Sequence, residues 1–66
     1  PLVDWSKVPI NTREVVWLDR LVQHKRYFAG YKDGKICTFQ SGATSWSNEP
    51  TPLEKWTYGR LAEEDE

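Results

Sequence analysis

One cysteine and one histidine stand in a chain of 66 residues. A single cysteine closes no internal disulfide, and one thiol with one imidazole does not make a standard zinc site. No apolar run approaches the ~18 residues of a membrane span, and no basic region followed by an apolar one marks the amino terminus as a secretory leader. The reading is a chain of the reducing cytoplasm with no membrane association. Reaction motifs are equally scarce: there is no Gly-rich phosphate loop, metal-ligand spacing or nucleophile elbow. Cys37 and His24 have no motif around them, and a lone cysteine in a strand behaves as a small hydrophobe. Among the carboxylates, Asp33 belongs to a turn, while Asp4, Asp19, Glu49 and Glu54 lie beside caps, prolines or lysines. The expectation is therefore a protein that is not an enzyme and takes no metal or cofactor.

What the chain has is aromatic mass: four Trp, three Tyr and two Phe. A chain this short buries only about 60% of its unfolded surface and is stabilised by roughly 3–5 kcal/mol, so large rings compensate for the missing disulfides and metal. Homodimerisation is the other way to make up a shortage of core. The net charge is −1, but Arg20, His24, Lys25, Arg26, Lys32 and Lys35 crowd the middle. The sequence reads as one small domain over residues 1–62 and an acidic tail over 63–66.

Asp4 is placed to cap one helical turn that ends before Pro9, because the residue before a proline avoids the α region. That turn would pin Trp5 against the body. Residues 12–24 admit two readings. Asn11 and Glu14 have capping-box spacing, and Val15, Leu18, Leu21 and Val22 recur at helical intervals. Yet Val15-Val16-Trp17-Leu18 is a compact β-branched and aromatic run, and a helix there would leave Val16 or Trp17 exposed. A strand near 14–18 with a loop over 19–23 is favoured. The alternative is an α+β fold with a helix at 12–24 packed on a three-stranded sheet.

Asp33-Gly34, flanked by two aromatic and β-branched runs, signals a two-residue type I′ hairpin. An unbroken register pairs Lys32 with Lys35, Tyr31 with Ile36, Gly30 with Cys37, Ala29 with Thr38 and Phe28 with Phe39. Two lysines opposite each other need water, so the other face, with Ala29, Tyr31 and Ile36, goes to the core. Phe28 and Phe39 are left as a pair either covered by sheet curvature or open to a ligand. Gly42 supports a turn, residues 44–47 read as a short strand, residues 48–52 as its proline-bearing break, and residues 53–62 as a last strand with Trp56 and Tyr58 on one face. Short strands and tight turns point to a mainly β fold: a small antiparallel meander closing as an SH3-like or OB-like partial barrel.

Two functional readings fit. Trp and Tyr dominate protein interfaces, so Trp17, Phe28, Phe39 and Trp46, with Lys25, Arg26, Lys32 and Lys35, are candidate contacts for a protein partner. The same basic aromatic hairpin, residues 25–39, has the cations and ring faces of a single-stranded nucleic-acid or nucleotide binder, although the acidic tail would repel a polyanion. The ordered set Asp4-Trp5-Ser6-Lys7-Val8-Pro9, Arg26-Tyr27-Phe28-Ala29-Gly30-Tyr31-Lys32-Asp33-Gly34-Lys35, and Thr44-Ser45-Trp46-Ser47 resembles small proteins encoded by bacteriophages and prophages. The segment Arg20-Leu21-Val22-Gln23 departs from that resemblance in being more apolar than the loop expected there. The resemblance implies a phage accessory protein that works in the host cytoplasm by stoichiometric binding to a host protein, for example against an enzyme or a defence system.

Overall fold

A computed structural model describes residues 3–47 and 52–65. A 3₁₀ turn at Trp5–Lys7 precedes five strands: β1 (Arg13–Trp17), β2 (His24–Lys32), β3 (Lys35–Thr38), β4 (Glu54–Trp56) and β5 (Tyr58–Leu61). The Asp4 Oδ1 atom accepts the Ser6 N–H at 3.2 Å and the Ser6 hydroxyl at 2.6 Å, which satisfies an otherwise orphaned donor of the turn. Val8, with ψ 128°, is already extended ahead of Pro9. The turn presses Trp5 onto Phe28, ring centroids 5.7 Å apart, as the expected plug.

All strand pairs are antiparallel, in the order β4-β3-β2-β1-β5. Strands β1 to β4 form a meander, and β5 returns to β1. That order is the SH3-like form of the expected partial barrel, not the Greek-key order of an OB-fold. Residues 12–24 contain β1 and a loop, so the α+β alternative is excluded. Asn11 is no helix cap. It adopts φ +74°, donates its N–H to Phe28 O at 2.8 Å and ties its side chain to Ser45. Asparagine tolerates this left-handed conformation better than most residues.

The hairpin turns at Asp33 (φ +54°) and Gly34 (φ +75°), as a type I′ loop requires. Its register follows expectation through Gly30↔Cys37 and then slips, Phe28 pairing with Thr38. Ala29 is the extra residue of a β-bulge, and Gly30 takes φ +157° beside it. The slip corrects the expected faces. Phe28 moves to the inner face with Thr38 and Ile36, and is 2% exposed, whereas Ala29 leaves the core. Tyr31, also expected inside, is 46% exposed. The β1 ladder ends at Tyr27, so the tip of β2 runs past its cover.

Two further expectations fail. Residues 44–47 form a turn and not a strand: Thr44 N–H bonds the Ser47 hydroxyl and Trp46 N–H bonds the Thr44 hydroxyl, so side chains take the groups a ladder would need. The expected break at 48–52 lies, apart from Pro52, outside the described residues. The last strand is interrupted at Thr57, which puts Trp56 inside and Tyr58 outside instead of on one face. Of the acidic tail, Glu63 to Asp65 are exposed and follow β5.

The core is Val16, Phe28, Ile36 and Trp56, with Trp5 and Val8 packed against it. Trp56 donates its indole N–H to the buried Thr38 hydroxyl at 2.9 Å, so its polar end is satisfied. Cys37 is buried and free. Because Thr57 alone separates two strands on opposite edges, the sheet must curl on itself. Gly59 is where the curl is tightest: a Cβ there would lie 2.8 Å from Ile36 Cδ1, 3.1 Å from Val16 Cγ1 and 3.3 Å from Val15 O. Gly59→Ala should therefore lower the urea midpoint by an amount equivalent to about 1–3 kcal/mol. An unchanged midpoint would show that the barrel has room for a methyl group at this point.

Candidate interaction surface

Trp17 and Tyr58 are register partners across β1 and β5 and lie on the outer face, because their inner-face neighbours on the same strands are Val16 and Gly59. Their rings stack with centroids 6.3 Å apart and planes 20° apart. The chain leaving β1 then makes a tight turn. The Asp19 carboxylate accepts the Leu21 N–H at 3.0 Å, and the Asp19 carbonyl accepts the Val22 N–H at 2.9 Å. This Asx-type turn holds Leu21 (86% exposed) and Val22 in solvent, on the loop that follows the exposed Leu18. Trp17, Leu18, Asp19, Arg20, Gln23 and Tyr58 line a depression of about 660 Å³. Trp17, Leu18 and Tyr58 border the depression, and Leu21 and Val22 add exposed apolar area on the loop that follows, more than a small domain ordinarily leaves in solvent.

The residues expected from sequence do not form one site. Trp17 belongs to the surface just described. Lys25 is exposed on the outer face of β2. Arg26 instead turns inward: its Nε donates to Glu54 Oε1 at 2.8 Å, its Nη1 to Lys25 O at 2.8 Å, and its guanidinium lies 5.6 Å from the Trp56 ring centre. Phe28 is core and unavailable to a partner, a correction that follows from the bulge. Phe39 is half-buried, its N–H bonded to Tyr27 O. Lys32 and Lys35 face each other at the hairpin tip, both exposed, with Lys35 Nζ donating to the Thr57 hydroxyl at 3.0 Å. Trp46 is 79% exposed on the 44–47 turn, which Ser45 fastens to Asn11. Tyr58, Leu18, Leu21 and Val22 were absent from the expected set. The apolar character of Leu21-Val22 was the signal for the loop residues, and Tyr58 had none.

No family model matches the chain, and no curated protein or solved structure shows significant similarity to it. Among the described residues no group of three His, Cys, Asp or Glu is arranged to hold a metal ion, and no helix is long and apolar enough to cross a membrane.

One inner-face group lies apart from this surface. Glu14, 1% exposed, has both carboxylate oxygens buried without a hydrogen-bond partner. Its register partners are Arg26 on β2 and Leu61 on β5, and Arg26 is engaged elsewhere. Burial pushes its pKa from 4.5 up to about 8, because a buried carboxyl holds its proton more tightly than an exposed one. Between these values the folded chain keeps a proton that the unfolded chain has released, so stability falls as pH rises and levels off above the folded value. The slope approaches ~1.4 kcal/mol per pH unit. Glu14→Gln cannot ionise, and urea unfolding across this range should show that slope in the native chain and its loss in the variant. Parallel curves for the two proteins would mean that Glu14 stays solvated.

Proposed function

We propose that the protein is a non-catalytic binding module that docks stoichiometrically onto a protein partner through the Trp17–Tyr58 face. The observation that carries this reading is the stacked pair itself, flanked by the solvent-held Leu18, Leu21 and Val22. A half-buried Trp17 stacked on an exposed Tyr58 is already ordered and loses little conformational freedom on binding, and Trp and Tyr are the residues most often found at interface hot spots. The Asx turn at Asp19 adds to this preorganisation, since it fixes the loop before any partner arrives. Resemblance to phage and prophage proteins supports a host protein as that partner, met in the host cytoplasm, with occlusion of a host enzyme or defence factor as the mode of action. Arg20 and Asp19 at the edge of the depression supply the polar rim of such an interface.

A second reading has its own observation. Arg13, Lys25 and Tyr27, from one face of the β1–β2 ladder, contribute to a cleft of about 330 Å³. Cations beside a ring suit single-stranded nucleic acid, with phosphates on the basic side chains and a base against the tyrosine.

The two readings separate in one experiment. Immobilised protein challenged with nuclease-treated host lysate should retain one dominant protein, with Trp17→Ala and Leu21→Ser each reducing retention by ~30-fold or more, the scale of a hot-spot truncation. Lys25→Glu should leave it unchanged. A lysate that yields no partner, or one indifferent to Trp17, would overturn the protein-binding reading. Oligonucleotide binding that weakens steeply with salt and is lost in Lys25→Glu would put the second reading in its place.

A further inference from the structure

Four ionisable side chains, Glu14, His24, Arg26 and Glu54, occupy the inner face of the sheet, as their register with Val16, Phe28, Thr38 and Trp56 requires. Arg26 sits between two carboxylates. It is hydrogen-bonded to Glu54 across the barrel at 2.8 Å, while Glu14 is its direct partner in the β1–β2 ladder and has no hydrogen bond. Side chains directly opposite in an antiparallel pair have Cβ atoms about 4.5–5.5 Å apart, so one rotamer change carries the guanidinium from one carboxylate to the other.

We propose that Glu14 and Glu54 compete for Arg26 and that the proton on Glu14 selects the pairing, which gives the barrel a two-position latch. With Glu14 protonated, Arg26 ties β2 to β4 through Glu54 and rests against Trp56, the arrangement observed. When Glu14 ionises, a buried carboxylate without a partner costs far more than an accessible one that returns to water. Glu54 is the accessible one, its side chain 34% exposed. Arg26 therefore moves to Glu14, and β4, only three residues long, keeps its ladder to β3 but loses its tie to β2.

Of the charged groups around Glu14, Arg26 is its register partner on the inner face. Arg13 flanks it on β1, Lys25 and Tyr27 on β2 and Arg60 on β5; the register starts all four from the outer face, although Arg13, Lys25 and Tyr27 reach the cleft that Glu14 and Arg26 also line. Lys55 of β4 is likewise outward, and Glu63 follows beyond β5. Asp4 and Lys7 of the amino-terminal turn pair with each other at 3.9 Å. His24 also touches Trp56, ring centroids 5.1 Å apart, so it is replaced in the test.

The test is an NMR pH titration of the full chain in a His24→Gln background, following Arg26 Nε–H, Trp56 Nε1–H and the Glu14 carboxyl carbon. The Arg26 and Trp56 signals should shift with the midpoint of the Glu14 carboxyl, and Glu14→Gln should abolish both shifts. Glu54→Gln releases Arg26 to Glu14 at the outset, so it should lower the Glu14 midpoint by at least about one pH unit, a tenfold change in proton affinity. Titration of Glu14 with static Arg26 and Trp56 signals, or a Glu14 midpoint unmoved by Glu54→Gln, would overturn the latch.

Discussion

The structure depends on one strand serving two neighbours in succession. β2 gives its first half to β1 and its second half to β3, and the bulge at Ala29 lies where the partner changes. A flat nine-residue strand would send its side chains to alternate faces throughout. The extra residue resets that alternation, so Arg26, Phe28 and Tyr31 all fall on the inner side although their spacing is irregular. The bulge also adds twist, which a five-stranded sheet needs in order to bring its edges together. Phe28 is then delivered to the core, where Trp5 covers it, and the amino-terminal turn becomes the lid of the barrel.

Much of this was legible because it rests on local chemistry. Asp4 before Ser6 and Pro9 and Asp33-Gly34 between β-rich runs each have one economical conformation and adopt it, and at Val15-Val16 the β-branched run prevails over the competing helical spacing. The departures have other origins. The bulge and the split at Thr57 go with contacts between distant segments, Phe28 with Trp5 and Gly59 with Ile36, while the turn at 44–47 closes through its own side chains and is fastened to Asn11 by Ser45. A glycine inside a strand was the only local hint of a bulge. Of the candidate surface, Trp17 could be read from composition, whereas Tyr58 could not. Its exposure follows from a one-residue interruption that reverses the face Trp56 would otherwise share with it.

The inner face is also less apolar than a core of this size would suggest. Val16, Phe28, Ile36 and Trp56 form its oily centre, and a band of Glu14, Arg26 and Glu54 closes one side. A domain with little apolar area to bury tolerates such a band only if the charges neutralise one another or stay protonated. Here both solutions coexist, since Arg26 answers one carboxylate and a proton answers the other. Arg26 serves packing as well as charge, because its guanidinium lies over the Trp56 ring, 5.6 Å from its centre.

The pairing of β1 with β5 joins segments from nearly opposite ends of the described chain. Contacts of that range are costly to form, because the intervening chain must surrender its freedom before they repay it. Trp17 and Tyr58 come together only through that ladder. Their shared surface thus exists only in molecules that have completed the barrel, and a partner reading both rings would in effect sample foldedness. Half-formed chains would go unrecognised, with no separate checkpoint needed.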